Sequence, residues 1–291
     1  MNMSFVILHY KAADETALAA ESILESQRGR RFRVVIVDNG SGDGSGERLK
    51  AFFDGGSRVS TILLPENLGF ARGNNAGIRA AREGGADAVC CLNSDVVISQ
   101  RGFLDAFERE WRRTGAAVIG PMILDADGRL AWNRGRMKAA WEYAALKRRL
   151  EEGAPERKAG ERMPMWLRKS PLWFPLRAAR NSSVFRRKDA VLHGCCLLFT
   201  PAFFARLEGF DPRTFMYFEE ELLFCEVKKA GLTTSYSPSL RATHLGGRSA
   251  EKAHGRAGAE EARRRMMAES LGVLLDEIGK DGAEERPGRR G

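Results

Sequence analysis

The sequence predicts an α/β protein whose central sheet is mainly parallel and covered by helices on both faces. Over the first 123 residues, short apolar runs alternate with amphipathic segments, the pattern of parallel strands joined by crossover helices. The chain has 291 residues, of which 43% are hydrophobic. That content is sufficient for a packed core and excludes a largely disordered chain. Ligands of such sheets collect at the carboxyl ends of the strands.

Strands and helices alternate regularly before residue 124 and resume after residue 190. The early strands are predicted at 4–8, 33–37, 59–64, 86–92 and 117–123. The helices between them are predicted at 15–26, 47–53, 71–83 and 103–113. The later part predicts a strand at 191–199 and helices at 201–207, 219–230 and, near the end, 260–278.

A strongly basic segment separates these two parts. Residues 133–189 contain 16 Lys or Arg and 6 Asp or Glu, a surplus of +10, whereas the whole chain carries +9. Trp141, Trp166, Trp173 and Phe174 lie among these charges. Basic residues interleaved with aromatic ones suit an anionic membrane surface, and a solvated pair of helices flanking the core is an equal alternative. Nucleic acid is not expected as a partner, because no recognisable nucleic-acid module surrounds the segment.

The remaining composition favours a cytoplasmic protein. The longest nearly apolar stretch, residues 194–204, has 11 residues, far below the roughly 20 that cross a bilayer. The first residues lack the basic leader of a signal peptide. Two adjacent cysteine pairs, Cys90–Cys91 and Cys195–Cys196, have no metal-binding spacing and indicate small buried side chains in a reducing compartment.

Three polar motifs follow predicted strands. Asp38 opens the run DNGSGDG, in which a carboxylate can bind a base or ribose. Taken alone, however, the run favours a tight turn with Asp43 or Ser45 as a helix cap. Asn67, Gly69, Arg72 and Asn75 lie in NLGFARGNN, whose Gly and Asn residues are costly in a helix and favour a binding role. The glycines do not match a dinucleotide-binding motif, because the first strand leads into His9 and Tyr10 instead.

Acidic residues mark two further positions. Asn93, Ser94 and Asp95 end a buried strand, and a lone carboxylate there suits Mg²⁺ or Mn²⁺ when ligand phosphates complete the coordination. Glu219, Glu220 and Glu221 open a predicted helix, where acids complement the helix dipole or one of them serves as a base. His244 is a candidate partner of a metal or a phosphate.

Taken in order, these motifs resemble those of the family 2 glycosyltransferases, which have the GT-A fold, and most closely its rhamnosyltransferase-like branch. The motifs are VDNGSGD at 37–43, NLGFARGNN at 67–75, NSD at 93–95, GCCLLF at 194–199, GFDPRTFMYFEE at 209–220 and HLGGRS at 244–249. The resemblance covers about residues 3–249 apart from the basic segment. It implies a nucleotide-sugar-dependent transferase.

The resemblance also implies a role for each matching residue. Asp38 would contact the donor's nucleobase, and Asn67, Arg72 and Asn75 would lie along the donor pocket, to which we add Tyr10, Gly69, Asn93 and Ser94. Asp95 would be the metal-binding acid of the D-x-D position, with His244 beside it. Glu219 matches the Glu of the E-D motif, and Glu220 stands where Asp is usual. Asn93 replaces the first D-x-D acid, and Leu222 replaces a later Asp.

The expected reaction is an inverting transfer from a nucleoside-diphosphate sugar to a hydroxyl of a lipid-linked or polysaccharide acceptor. Glu220, or else Glu219, would be the base, and a divalent cation would assist the leaving diphosphate. The alternative is a weak or inactive relative that binds anionic membrane or polymer through its basic segment. A nucleotidyltransferase is less favoured, since residues 9–14 lack its Gly-rich basic loop.

Four regions follow from these expectations. Residues 1–132 form the nucleotide-sugar-binding half, 133–190 the basic insertion, 191–249 the acceptor-side half, and 250–291 a C-terminal helix with a flexible tail. We expect a cytoplasmic location, with attachment to the inner face of the cell membrane as a possibility that the basic segment raises.

Overall fold

The computed structural model describes residues 1–53, 55–130, 134–153, 187–246 and 256–284. Trp166, Trp173, Phe174 and most of the basic insertion therefore lie outside the described residues. Within the described ranges, no helix has the length and apolar character needed to span a membrane.

Eleven strands and eight helices make up the described chain. The strands are β1 Met3–His9, β2 Phe32–Asp38, β3 Val59–Leu63, β4 Ala88–Asn93, β5 Val96–Val97, β6 Val118–Leu124, β7 Arg134–Gly135, β8 Arg187–Lys188, β9 Val191–Leu192, β10 Cys196–Phe199 and β11 Thr234–His244. The helices are α1 Ala13–Ser26, α2 Ser45–Phe53, α3 Gly69–Glu83, α4 Phe103–Thr114, α5 Ala140–Glu151, α6 Pro201–Phe204, α7 Glu219–Lys229 and α8 Arg256–Glu284.

Nine strands form one central sheet in the order β3-β2-β1-β4-β10-β6-β11-β5, with β8 also paired to β11. The first four of these are parallel, β10 runs antiparallel between β4 and β6, and β6 is again parallel to β11. β7 and β9 form a separate antiparallel pair. The parallel register brings His9, Asp38 and Asn93 to the same edge of the sheet, which is the edge where ligands were expected.

Two apolar layers cover the sheet, one on each face. Cys90 belongs to one layer and Cys91 to the other, as expected for neighbours on a strand. All five cysteines are free thiols and buried, so the sequence prediction of small buried side chains is confirmed.

The structure corrects two predictions of secondary structure and adds the strand β11. The predicted strand 191–199 is divided into β9 and β10 by a turn at His193–Cys195. The helix predicted at 201–207 ends at Phe204. No sequence pattern predicted β11. This strand contains Pro238, and its pairing with β6 is interrupted between Ser237 and Arg241. A proline argues against a central strand, and an irregularity in the pairing accommodates it here.

A third apolar cluster joins α5, α7 and α8. Its buried members are Tyr143, Leu150, Leu222, Cys225, Met267, Leu271 and Leu274. The described part of the basic segment, α5, therefore packs through Tyr143 and Leu150 instead of being solvated on all sides. The C-terminal helix packs against the helix that carries the acidic triplet.

Candidate active site

The donor-side candidates lie at the carboxyl ends of β1, β2 and β4. Asp38 is 5% exposed, and its Oδ1 accepts hydrogen bonds from the backbone N–H of Ser41 at 3.2 Å and from the Ser41 hydroxyl at 2.5 Å. Ser41 in turn accepts a bond from the N–H of Lys11, which has φ +53°. The turns after β1 and β2 are thereby joined, and Tyr10 belongs to the first of them.

Glycine is required where α2 passes beneath Asp38. A Cβ at Gly46 would lie 2.1 Å from Asp38 Oδ2, so only glycine allows the carboxylate its position. The alternative interpretation of this run as a capped turn is also correct in part, because the N–H of Ser45 donates to Asp43 at 3.0 Å. The run thus begins a helix while presenting Asp38 at the sheet edge.

Two buried residues that the sequence analysis did not select hold this edge together. His9 is fully buried and bonds Thr16 and Ser45 through its two ring nitrogens, each at 2.8 Å. Burial lowers the pKa of His9 despite the nearby Asp38, which favours a neutral ring. A histidine at the end of an apolar strand was the available sequence signal for this role.

Asn39 is the second of these residues. Its Nδ2 donates to Asn67 Oδ1 at 2.9 Å and to the carbonyl of Gly69 at 3.1 Å, while its Oδ1 accepts the N–H of Leu68. The start of α3 is therefore fixed to the end of β2. Gly69 has φ +81°, and a Cβ there would lie 2.3 Å from the carbonyl of Phe215, so this position requires glycine on two grounds.

The polar residues further along α3 contact the segment that precedes α7. Asn75 donates to the carbonyl of Phe210 at 2.7 Å and accepts its N–H at 2.8 Å. Arg72 is exposed and donates through Nε to the carbonyl of Pro212 at 3.0 Å. In this structure, Asn75 therefore joins the two halves of the site with its amide, and Arg72 lies at the same junction.

Asp95 and His244 form a close polar pair at the sheet edge. The distance from Asp95 Oδ2 to His244 Nε2 is 3.1 Å, and β11 and β5 are paired at this point through His244 and Val96. The hydrogen bond that His244 donates to Asp95 raises the pKa of His244 more than burial lowers it. Ser94 beside them is buried, whereas Asn93 is partly exposed.

The pair fits a divalent cation of the kind that the resemblance implies. A carboxylate oxygen and an imidazole nitrogen converge, and both are ligands that Mn²⁺ accepts. Among the residues that the structure describes, no three His, Cys, Asp or Glu side chains group together as a complete metal site. A cation held here would therefore take its other ligands from the donor and from water.

The turn between β9 and β10 connects this pair to the acidic triplet. The ring of His193 lies 6.0 Å from that of His244, and its Nδ1 accepts the N–H of Cys195 at 3.1 Å. Burial first, and then His244, lower the pKa of His193 to about 4. The next residue, Gly194, donates its N–H to Glu220 Oε1 at 3.0 Å. No sequence pattern indicated a role for His193 or Gly194.

Glu219 and Glu220 occupy different environments. Glu219 is 6% exposed, and burial together with the charge of Glu220 raises its pKa to about 8. Its Oε1 accepts a 3.4 Å bond from the Thr214 hydroxyl. Glu220 is less completely buried, and burial raises its pKa too. A pKa of about 8 favours the protonated form of Glu219 near neutral pH, whereas the hydrogen bond from the Gly194 N–H favours the charged form of Glu220.

A strained turn precedes this helix. Tyr217 and Phe218, neither of them glycine, have φ values of +78° and +66°. Left-handed backbone at a bulky residue costs about 1–3 kcal/mol and persists only where the surroundings impose it. The turn directs the first residues of α7 toward the sheet edge, and no sequence pattern signalled its strain.

A nine-stranded α/β sheet with polar groups at the carboxyl ends of its parallel strands, beside two glutamates at the start of α7, is the arrangement expected of a GT-A type transferase. The family model described as "Glycosyl transferase family 2" matches residues 4–199. The chain belongs to that family, and it is a glycosyltransferase.

Known proteins agree with this assignment. The chain is 30% identical over 226 residues to N-acetylglucosaminyl-diphospho-decaprenol L-rhamnosyltransferase of Mycobacterium tuberculosis, in strains CDC 1551 / Oshkosh and H37Rv, covering 74% of this chain and 67% of the relative. The crystal structure of GalNAc-T7 with UDP, GalNAc and Mn²⁺ matches with a TM-score of 0.59 at 14% identity. That match covers 91% of this chain but 48% of the other, about half its length, and it confirms the GT-A fold.

Proposed function

We propose that this glycosyltransferase moves a sugar from a nucleoside-diphosphate donor to a hydroxyl of a lipid-linked or polysaccharide acceptor, with inversion at the anomeric carbon. The observation that carries the proposal is the arrangement of Asp95, His244 and Glu220 around the His193–Cys195 turn. A candidate cation site and a candidate base thereby lie on either side of one short turn.

Glu220 is the proposed base. As the acceptor hydroxyl attacks the anomeric carbon, its proton passes to the Glu220 carboxylate, and the bond from that carbon to the diphosphate oxygen breaks. The Gly194 N–H holds Oε1 during this step. Glu219 is more deeply buried and bonded to Thr214, and we propose that it supports the turn before α7.

The donor is proposed to bind along the carboxyl ends of β1, β2 and β4. Asp38 would contact the base or ribose, with Tyr10, Asn67, Gly69, Asn93 and Ser94 near the donor and Arg72 toward the diphosphate. Asp95 and His244 would hold a divalent cation, which supplies positive charge to the departing diphosphate when it is bound. Asn75 is proposed to keep the two sides of this pocket at a fixed distance.

The named relatives suggest the chemistry of the substrates. Their name specifies an L-rhamnosyl transfer and a diphospho-linked N-acetylglucosamine on a polyprenol. We therefore propose a rhamnosyl or hexosyl donor and a polyprenyl-diphosphate-linked acceptor, as in the synthesis of cell-envelope glycans.

Donor hydrolysis tests the proposal directly. A panel of UDP-, GDP- and dTDP-sugars is incubated with Mn²⁺ and the wild-type enzyme, and the released nucleoside diphosphate is measured. The best donor is then combined with polyprenyl-diphospho-N-acetylglucosamine, and the product is examined for anomeric configuration. Turnover of one donor class that Glu220→Gln suppresses supports the proposal. No turnover of any donor would leave the inactive relative as the better description.

Contact with an anionic membrane is a further part of the proposal and rests on the basic segment. In its described part, Trp141 is 71% exposed on α5, close in sequence to Lys147, Arg148 and Arg149. Each Lys or Arg near an anionic leaflet contributes about 1 kcal/mol. Sedimentation with phosphatidylglycerol vesicles should show binding that weakens at high salt, and Trp141→Ala should weaken it further. Equal binding to neutral vesicles would contradict this.

A further inference from the structure

The C-terminal helix α8 and the catalytic segment are joined by contacts that begin after the family match ends. The match stops at residue 199, whereas the segment 209–218, α7 and α8 all follow it. On α8, Met267, Ser270, Leu271, Leu274 and Glu277 recur at helical spacing and are all buried, so they form one continuous face. Two of the five are polar, and both contact the segment before α7.

Ser270 makes the first polar contact of this face. Its hydroxyl donates a 2.8 Å hydrogen bond to the carbonyl of Met216, the residue immediately before the strained pair Tyr217 and Phe218. The ring of Tyr217 faces the guanidinium of Arg263 on α8 at 6.0 Å. The ring of Phe218 lies 6.2 Å from that of Tyr143 on α5. The strained turn is thus held from outside by α5 and α8.

Glu277 makes the second contact, two helical turns further along α8. Its Oε2 lies 2.7 Å from Arg213 Nη2, and its Oε1 pairs with Lys229 at the end of α7. Arg213 also binds Asp211 through both carboxylate oxygens, with its Nε at 2.9 and 2.8 Å. Hydrogen bonds from Lys229 and Arg213 lower the pKa of Glu277 to about 2. One carboxylate therefore connects the loop before α7 with the far end of α7.

We infer that α8 is the element that positions the catalytic turn, with Ser270 and Glu277 as positioning residues for Glu220. The left-handed pair cannot maintain its own conformation, because each of its residues is strained. The two ends of the 211–216 loop are fixed to one rigid helix face, so the direction in which α7 starts is fixed as well. This inference rests on the proposed role of Glu220 as the base.

The helix offers a matched control for testing this inference. Glu269 lies on α8 one residue before Ser270, and it pairs with Arg265 at 2.9 Å on the surface, with the two side chains 61% and 82% exposed. Such a pair contributes little to stability. Glu269→Gln therefore makes the same chemical change on the same helix without touching the catalytic segment.

The experiment is a double-mutant cycle on the full-length enzyme. We expect Glu277→Gln to lower kcat for sugar transfer about tenfold, because small displacements of a catalytic group are costly. Ser270→Ala should have a smaller effect in the same direction. Glu269→Gln should stay within about twofold of the wild type. Because the candidate donor and cation-binding groups belong to β1, β2, β4, β11, α3 and the turn at Asp95, and none belongs to α7 or α8, the affinity for UDP, GDP or dTDP in Mn²⁺ should change little.

The decisive measurement is Glu277→Gln in a Glu220→Gln background. If Glu277 acts through Glu220, the second substitution should then cost less than about twofold, because coupled residues are not additive. Equal losses in both backgrounds, or a parallel loss of nucleotide affinity, would show a general structural role and overturn the inference. If the Glu277→Gln variant does not fold, the same double-mutant cycle is measured with Ser270→Ala in place of Glu277→Gln. A wild-type rate in Glu220→Gln alone would instead refute the proposed base, whatever Glu277 does.

Discussion

The donor side and the acceptor side of this active site are built differently. On the donor side, Asp38, Asn39 and Asn67 are held by neutral or short-range hydrogen bonds at strand ends that the sheet already aligns. On the acceptor side, Glu219 and Glu220 follow two strained residues and depend on α5 and α8 for their position. The sheet therefore places the proposed donor-binding groups, whereas the proposed base is positioned with the help of helices that are distant in sequence.

The two sides also differ in what stabilises them, neutral hydrogen bonds on the donor side and ion pairs on the acceptor side. The side chain of Asn39 makes three hydrogen bonds and carries no charge. By contrast, Arg213, Glu277, Lys229 and Asp211 form a partly buried ion-pair network. Removing one partner of such a network leaves the others without compensation. We expect the acceptor side to be the more sensitive of the two to single charge changes.

The largest expected effect is on the proposed base. Glu220→Gln should lower transfer about 10²- to 10⁴-fold, the usual contribution of general-base catalysis, with nucleoside-diphosphate affinity unchanged. Steady-state kinetics and calorimetry measure the two quantities. A loss of affinity matching the loss of rate would show that Glu220 belongs to the donor side instead.

The second-largest effect is expected on the donor side, when the candidate cation ligand Asp95 is removed. Asp95→Ala should weaken Mn²⁺-dependent binding of the nucleoside diphosphate about 10²-fold, since Asp95 provides the carboxylate of the pair with His244. Calorimetry with and without Mn²⁺ measures this. Circular dichroism should show an unchanged fold, and an affinity equal to that of the wild type would remove Asp95 from the site.

Two glycines with nearly the same backbone φ test the junction between the donor side and the acceptor side. Gly69 has φ +81° and Gly85 φ +83°, but only a Cβ at Gly69 meets another atom, the Phe215 carbonyl at 2.3 Å, and nothing lies within 4 Å at Gly85. Gly85→Ala should cost about 1 kcal/mol of unfolding free energy from the left-handed backbone alone. Gly69→Ala should cost about 2–4 kcal/mol, because it adds a steric clash.

Chemical denaturation of both glycine variants measures this difference. Gly69→Ala should also lower transfer, because Phe215 belongs to the segment before α7, whereas Gly85→Ala should leave transfer unchanged. Equal destabilisation by the two substitutions would mean that the clash is relieved, because the segment that contains Phe215 can move away from α3.

The smallest effect is expected at Glu219. Its pKa of about 8 leaves it mostly protonated at pH 7, and Gln resembles a protonated Glu in shape and hydrogen bonding. Glu219→Gln should therefore change transfer less than about threefold at pH 7. As the pH rises above 8, wild-type Glu219 ionises and gains a buried charge that the variant lacks. The ratio of wild-type to variant activity between pH 6.5 and 9 tests this. A larger loss than in Glu220→Gln would exchange the two roles.

Several elements were determined by the sequence alone. The apolar runs at 4–8, 33–37 and 86–92 became β1, β2 and β4 to within two residues at each end, because strands buried on both faces need unbroken apolar runs. Their alternation with helices predicted the parallel register, and hence that Asp38 and Asn93 share one edge of the sheet. The acidic triplet at the start of α7 also followed from the sequence.

Tertiary structure decided the rest. Asp95 and His244 are separated by 149 positions and meet only because β11, which the sequence pattern did not predict, brings His244 beside β5. The difference between Glu219 and Glu220 depends on burial, on Thr214 in the loop just before α7, and on Gly194, which belongs to another segment of the chain. Local patterns determine which face of an element is apolar, but pairing between distant segments sets a group's solvation and partners, and therefore its protonation.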